Sequence, residues 1–119
     1  MTEGEKDQGR LAWISAYPEM KVNVIADDLF HPHSLELADM TGNGKLDVFV
    51  AEMGLGKNPN PKLLVFENKG NGEFARHIIA EGIPTHNATL GDIDRSGRMS
   101  IVGKPYHPEN QVDVWLNKG

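Results

Sequence analysis

The sequence predicts an all-β fold: a partial β-propeller of just over two four-stranded antiparallel blades. Three observations predict it. A block of seventeen residues recurs at an offset of 53. Each copy leads into a second matching segment. Short alternating apolar runs are separated by Gly, Asn, Asp and Pro clusters, and no stretch sustains a helical period.

Ser34–Val50 reads SLELADMTGNGKLDVFV and Asn87–Gly103 reads NATLGDIDRSGRMSIVG. The offset sets His33 against His86, Asp39 against Asp92 and Gly44 against Gly97. Downstream, Val65–Gly70 (VFENKG) matches Val114–Gly119 (VWLNKG) at an offset of 49. The missing residues fall in the Gly/Pro/Asn-rich stretch Gly54–Pro61. A surface loop absorbs such a change at little entropic cost. A partial copy comes first: Val24–Asp27 resembles Ile78–Glu81, and Trp13 is set against Phe66 and Trp115.

Each unit reads as four strands. In the full unit they are A (34–39), B (46–52), C (62–68) and D (73–80). The last unit gives A (87–92), B (99–103) and C (111–117), and the opening segment gives C (11–16) and D (20–27). Leu35 and Leu37 alternate with Ser34, Glu36 and Ala38, the period of a pleated strand. The division is a polar tail at 1–10, a partial blade at 11–30, a full blade at 31–82 and an incomplete one at 83–119. Four-stranded units at about fifty residues are propeller blades. A jelly roll or sandwich is the runner-up, and it would not require the offset. Propellers close with four or more blades, so further blades are expected, from a longer chain or from self-assembly.

Composition narrows the function. The 119 residues suit one domain with a modest core, and 13 Gly and 7 Pro imply many turns. A formal charge of -5 makes nucleic acid a poor partner and suits bound cations. The absence of cysteine excludes disulfides, thiolate zinc sites and thiol catalysis. No apolar run has the length of a membrane span. Residues 1–10 have no apolar core of a signal peptide and read as a frayed terminus.

The sharpest motif is Asp39-Met40-Thr41-Gly42-Asn43-Gly44-Lys45-Leu46-Asp47. Oxygen side chains stand at positions 1, 3, 5 and 9, and alternate residues of a tight loop point inward at a hard cation. Gly44 permits the sharp turn, and the Lys45 carbonyl would complete the cage. An EF-hand needs a Glu at position 12, and Val50 stands there inside a strand. The expected metal set is Asp39, Thr41, Asn43, Lys45 and Asp47, with Ca²⁺ as the ion. The second loop offers Asp92, Asp94, Ser96 and the carbonyl of Arg98, with Ser100 at position 9. It is expected to bind Ca²⁺ more weakly or to be an ion-free Asx hairpin; both readings stand. Asn68–Gly72 reads as a C–D turn.

The loops, their flanking strands and the N-x-G-x-G turn resemble the FG-GAP/VCBS repeats of integrin-type propellers and of many bacterial secreted proteins. The likeness covers residues 20–119. It implies that Ca²⁺ binds where strand A meets strand B, on one face of a propeller, and that the chain is secreted or periplasmic. Thr41 and Asn43 stand where that family usually has Asp, and the second copy carries Ser96 and Ser100.

The starts of A and the ends of B then lie at the opposite rim. His31, His33, His86 and His107 gather there, four of the five histidines, with Glu52, Met53, Lys104 and Tyr106. One reading is a polar site binding a carbohydrate or protein ligand. An alternative is part of a carbohydrate-active enzyme, because lyases and a sugar dehydratase with similar propellers work at the channel face. Its candidate catalytic residues are His33, His86, Glu52, Lys104 and Tyr106. A third is structural: a repeated His bonding a neighbouring blade. His77 is expected on the surface, and Tyr17 is a further candidate for ligand contact.

Overall fold

The structure is a computed structural model that describes residues 8–15, 20–30, 32–52, 60–82, 87–104 and 112–118. Among these residues lie nine strands and no helix. β1 (Gln8–Ser15) and β2 (Lys21–Phe30) form the first sheet. β3 (Pro32–Ala38), β4 (Asp47–Glu52), β5 (Lys62–Gly70) and β6 (Glu73–Glu81) form the middle sheet. β7 (Asn87–Gly91), β8 (Ser100–Lys104) and β9 (Asp113–Trp115) form the third. Every pairing is antiparallel between chain neighbours. The all-β, antiparallel expectation therefore holds, but β1 begins at Gln8, so Gln8–Arg10 are paired strand where a frayed tail was expected. The sheets are three separate ladders, with no strand pairing between them among the described residues.

The middle sheet supplies both cores. Val48, Val50, Leu64 and Phe66 pack on Leu11, Ala26 and Leu29 of the first sheet. Phe49, Ala51, Leu63 and Val65 pack on Ile101 of the third, with Ala88, Leu90 and Trp115 around them. β4 therefore alternates between two apolar surfaces, and all six of its residues are buried. This explains why DVFVAE has no polar side: a strand covered on both faces has no use for one. Val48, Phe49 and Val50, all buried, each contribute roughly 1.5–3 kcal/mol.

Polar bonds align the inner strands. Ser34 Oγ accepts the Ala88 N–H at 3.0 Å, and Glu36 Oε2 accepts the Leu90 N–H at 2.8 Å. The Thr89 hydroxyl also donates to Glu36. On the outer strands, Arg76 grips both carboxylate oxygens of Asp28, at 2.7 and 3.1 Å, and lies over the Phe66 ring. Arg76 holds the Asp28 carboxyl below its ordinary range. Close approach is set at Gly9, where a Cβ would lie 2.5 Å from the Pro32 ring.

One alignment needs correction. Trp13 does not occupy the position of Phe66. In the middle sheet Leu63 faces Ala80, a bulge follows, and Leu64 faces Ile78. In the first sheet Leu11 faces Ala26, a bulge follows, and Ala12 faces Val24. Trp13 therefore stands where Val65 stands, and Ile14 where Phe66 stands. A one-residue slip moves a side chain to the other face of a sheet. Trp13 accordingly turns toward the middle sheet, in a cavity it shares with Leu35, Leu37 and Phe74. Trp115 keeps the Phe66 position, since Ile101 faces Trp115 as Val48 faces Phe66.

Candidate functional site

The two loops join inner strand to second strand: residues 39–46 between β3 and β4, and residues 92–99 between β7 and β8. Both curl around their first carboxylate. Asp39 Oδ2 accepts the Gly44 N–H at 2.8 Å, and Asp92 Oδ2 accepts the Gly97 N–H at 2.9 Å. At position 5, Asn43 Oδ1 accepts the Lys45 N–H at 2.9 Å and Ser96 Oγ accepts the Arg98 N–H at 3.2 Å. The curl needs left-handed backbone, and Gly42, Gly44 and Gly97 supply it at φ of +80°, +81° and +84°. Arg95, the counterpart of Gly42, adopts φ +59° despite its side chain.

Asp39 Oδ1 takes two more amides, Gly42 at 2.8 Å and Asn43 at 3.2 Å. Amide donation, from Gly44 above all, holds the Asp39 carboxyl below its ordinary range. In the second loop a bond from the Ser96 hydroxyl is the main cause that lowers Asp94.

Position 9 faces inward. Asp47 is fully buried; Oδ2 accepts the Met40 N–H at 2.9 Å and Oδ1 the Asn68 N–H at 2.8 Å. Ser100, equally buried, accepts the Asn117 N–H at 3.0 Å. Both residues tie the second strand to the third, and Asp47 also holds the loop base. The partners on the third strand carry roles that sequence reasoning missed. Asn68 Nδ2 donates to the Leu46 carbonyl at 3.1 Å. Asn117 Nδ2 donates to the Met99 carbonyl at 3.1 Å and across to the Met40 carbonyl of the first loop at 2.8 Å. The signal was present in the repeated Asn-Lys-Gly, which reads locally as a turn. That turn does form: Asn71 and Gly72 both have positive φ.

These residues fit Ca²⁺ in backbone curl and in oxygen type. The loop offers the Asp39 carboxylate, the exposed Thr41 hydroxyl, the Asn43 amide oxygen and the Lys45 carbonyl. Asp47, buried at the loop base, accepts one amide on each carboxylate oxygen. No group of three His, Cys, Asp or Glu residues converges on one point among the described residues. Arg98 and Asp39 border one cleft of about 300 Å³ between the loops.

The opposite rim is described in part. Pairing sets Pro32 against Glu52 and Asn87 against Lys104, so the starts of β3 and β7 share that end with the ends of β4 and β8. His33 is exposed and borders a cavity of about 150 Å³ with Arg10 and Leu29. Lys104 is exposed. Glu52 is buried, and its Oε1 accepts the Lys62 N–H at 3.0 Å, which caps the start of β5. His31, Met53, His86, Tyr106, His107 and Tyr17 lie outside the described residues. His77 is on the surface as expected and meets Glu67 at 2.8 Å. His77 and then Lys69 hold the Glu67 carboxyl low.

A family model described as an FG-GAP-like repeat matches residues 39–103, more than half of the chain. No curated protein and no solved structure matches. The matched span opens at Asp39, crosses both carboxylate-centred loops and ends on β8. The chain belongs to the FG-GAP-like repeat family.

Proposed function

We propose that this chain is a section of a β-propeller acting as a binding module, with a carbohydrate or protein ligand held at the rim opposite the loops. One observation carries the reading. His33 and Lys104 are exposed at the end of the sheets away from the loops, where the starts of β3 and β7 meet the ends of β4 and β8. An imidazole and an ammonium at one rim suit hydroxyl- or carboxylate-bearing ligands. An exported setting belongs to the same proposal, following the family.

Titration with a panel of neutral and acidic oligosaccharides, read by calorimetry, tests it. His33→Ala with Lys104→Ala should abolish binding while leaving the melting temperature within about a degree, since exposed substitutions change stability little. Binding that survives both substitutions would refute the rim.

We further propose that the first loop takes Ca²⁺ weakly, at a Kd of about 10⁻⁴–10⁻³ M, the range of extracellular modules. Asp39, Thr41, Asn43 and the Lys45 carbonyl would hold it, and the ion would neutralise the loop carboxylate. Saturating Ca²⁺ should then stabilise the fold by about 1–3 kcal/mol over EDTA. Asp39→Asn should remove most of that gain, and Asp92→Asn little of it. An unchanged melting curve on adding Ca²⁺ would sink the idea.

A further inference from the structure

Two Gly-Asn-Gly runs stand in the chain, Gly42–Gly44 in the first loop and Gly70–Gly72 between β5 and β6, and no other Asn precedes a Gly. An Asn-Gly step carries its own reaction. The glycine nitrogen can reach the asparagine Cγ and close a succinimide ring, because no Cβ hinders the approach. The two runs share both neighbours, so local sequence gives them the same intrinsic reactivity. A difference between them in the folded chain comes from the fold.

The first run is tied at both reacting groups. The Gly44 N–H, on the attacking nitrogen, donates to Asp39 Oδ2 at 2.8 Å. The Asn43 side chain is held at both of its polar atoms: Oδ1 accepts the Lys45 N–H at 2.9 Å, and Nδ2 donates to the Asn68 carbonyl at 3.3 Å. The Asn43 N–H is bonded as well, to Asp39 Oδ1 at 3.2 Å. For the ring to close, the Gly44 peptide must leave Asp39, and the Asn43 amide must leave Lys45 and Asn68.

The second run is tied at neither group. Asn71 and Gly72 are exposed at the tip of the β5–β6 turn, where Gly70 faces Glu73. Both have left-handed backbone, at φ of +57° and +79°, as a tight hairpin turn requires. Among the described residues, no hydrogen bond holds the Asn71 side chain or the Gly72 N–H.

We propose that Asn71 is a site of spontaneous deamidation and that the first loop protects Asn43 from the same reaction. The Gly72 nitrogen attacks Cγ of Asn71 and forms the N–Cγ bond. The Cγ–Nδ2 bond breaks, and Nδ2 leaves as ammonia with the proton that the glycine nitrogen gives up. The succinimide then adds one water from solvent at either carbonyl, which leaves an aspartyl or an isoaspartyl residue. Either product carries a new negative charge, and the isoaspartyl form also adds a methylene to the main chain. The tip it alters lies against the first sheet: a Cβ at Gly72 would stand 3.4 Å from Cζ2 of Trp13. The reaction draws on neither a ligand at the rim nor a cation in the loop, so it can fail or hold without them.

Peptide mapping by mass spectrometry tests this on the whole chain, held folded in mildly alkaline buffer and sampled over days. Deamidation at Asn71 should outrun that at Asn43 by about tenfold or more, because several hydrogen bonds must break before Asn43 reacts. Chromatography should resolve both isomeric products at the Asn71 position. In concentrated urea the two rates should converge, since the runs are identical in sequence and the fold is gone. Equal rates in the folded chain, or faster loss at Asn43, would overturn the proposal. So would an Asn71 that keeps its amide in the folded chain while it reacts in urea. A difference that persists in urea would overturn it too, by assigning the effect to sequence instead of structure.

Discussion

The two loops share one backbone and differ in how it is fastened. In the first, Asp39 gathers three amides and Asp47 anchors two more from beneath. In the second, Asp92 takes the Gly97 amide, Asp94 the Ser96 amide, and Ser100 the Asn117 amide. Asn117 compensates by bonding two loop-end carbonyls, Met40 and Met99, where Asn68 bonds one, Leu46. The loop shape is thus set by oxygen acceptors placed against backbone donors. Net charge varies without changing that shape.

Removing position 9 tests this contrast most severely. Asp47→Ala strands two part-buried amides and leaves a void at a fully buried position, so it should cost about 3 kcal/mol in urea unfolding. Ser100→Ala strands one and should cost about 1–2 kcal/mol. Equal costs would mean that Asp47 does no more than Ser100.

Acid should separate the loops next. The Asp39 carboxyl is depressed by its amides, so its contribution is present above its unfolded pKa and is lost as pH falls through the lower folded value. Melting temperature should therefore drop on acidification below the ordinary carboxylate range. Asp39→Asn should flatten the part of that drop due to the first loop. An unaltered acid profile in that variant would show that its amide bonds add nothing.

The smallest effect is at Arg95. A non-glycine residue in left-handed backbone costs about 1–2 kcal/mol, and glycine loses part of that gain by loosening the unfolded chain. Arg95→Gly should therefore stabilise the second loop by up to about 1 kcal/mol, and Gly42→Arg should destabilise the first by a comparable amount. Thermal melts of the pair would show the opposite signs.

Much of this was readable from the residues alone, for identifiable reasons. The strands were, because alternation survives wherever one face is polar, as in Leu35 and Leu37 against Ser34 and Glu36. The loops were, because Asx and Gly at fixed spacing have a local cause. The turn at Asn68–Gly72 was too, but the bonds of Asn68 and Asn117 were not, since a turn signal is local and their bonds are not: Asn117 reaches Met40, 77 residues away in sequence. Trp13 was matched to Phe66 on its aromatic ring alone, whereas strand pairing sets it against Asn23 as Val65 is set against His77. The bonds of Asp47 to the Met40 and Asn68 amides were also invisible, since spacing along the chain does not show which backbone donors of a neighbouring strand come near.

β4 carries a consequence for how the chain comes apart. Its successive residues belong alternately to the two cores, Val48 and Val50 to one, Phe49 and Ala51 to the other. The departure of this strand opens both cores at once. The three sheets should therefore lose structure in a single cooperative step instead of peeling from one end. In hydrogen exchange, the β4 amides should be the slowest in the chain and should exchange only through global unfolding.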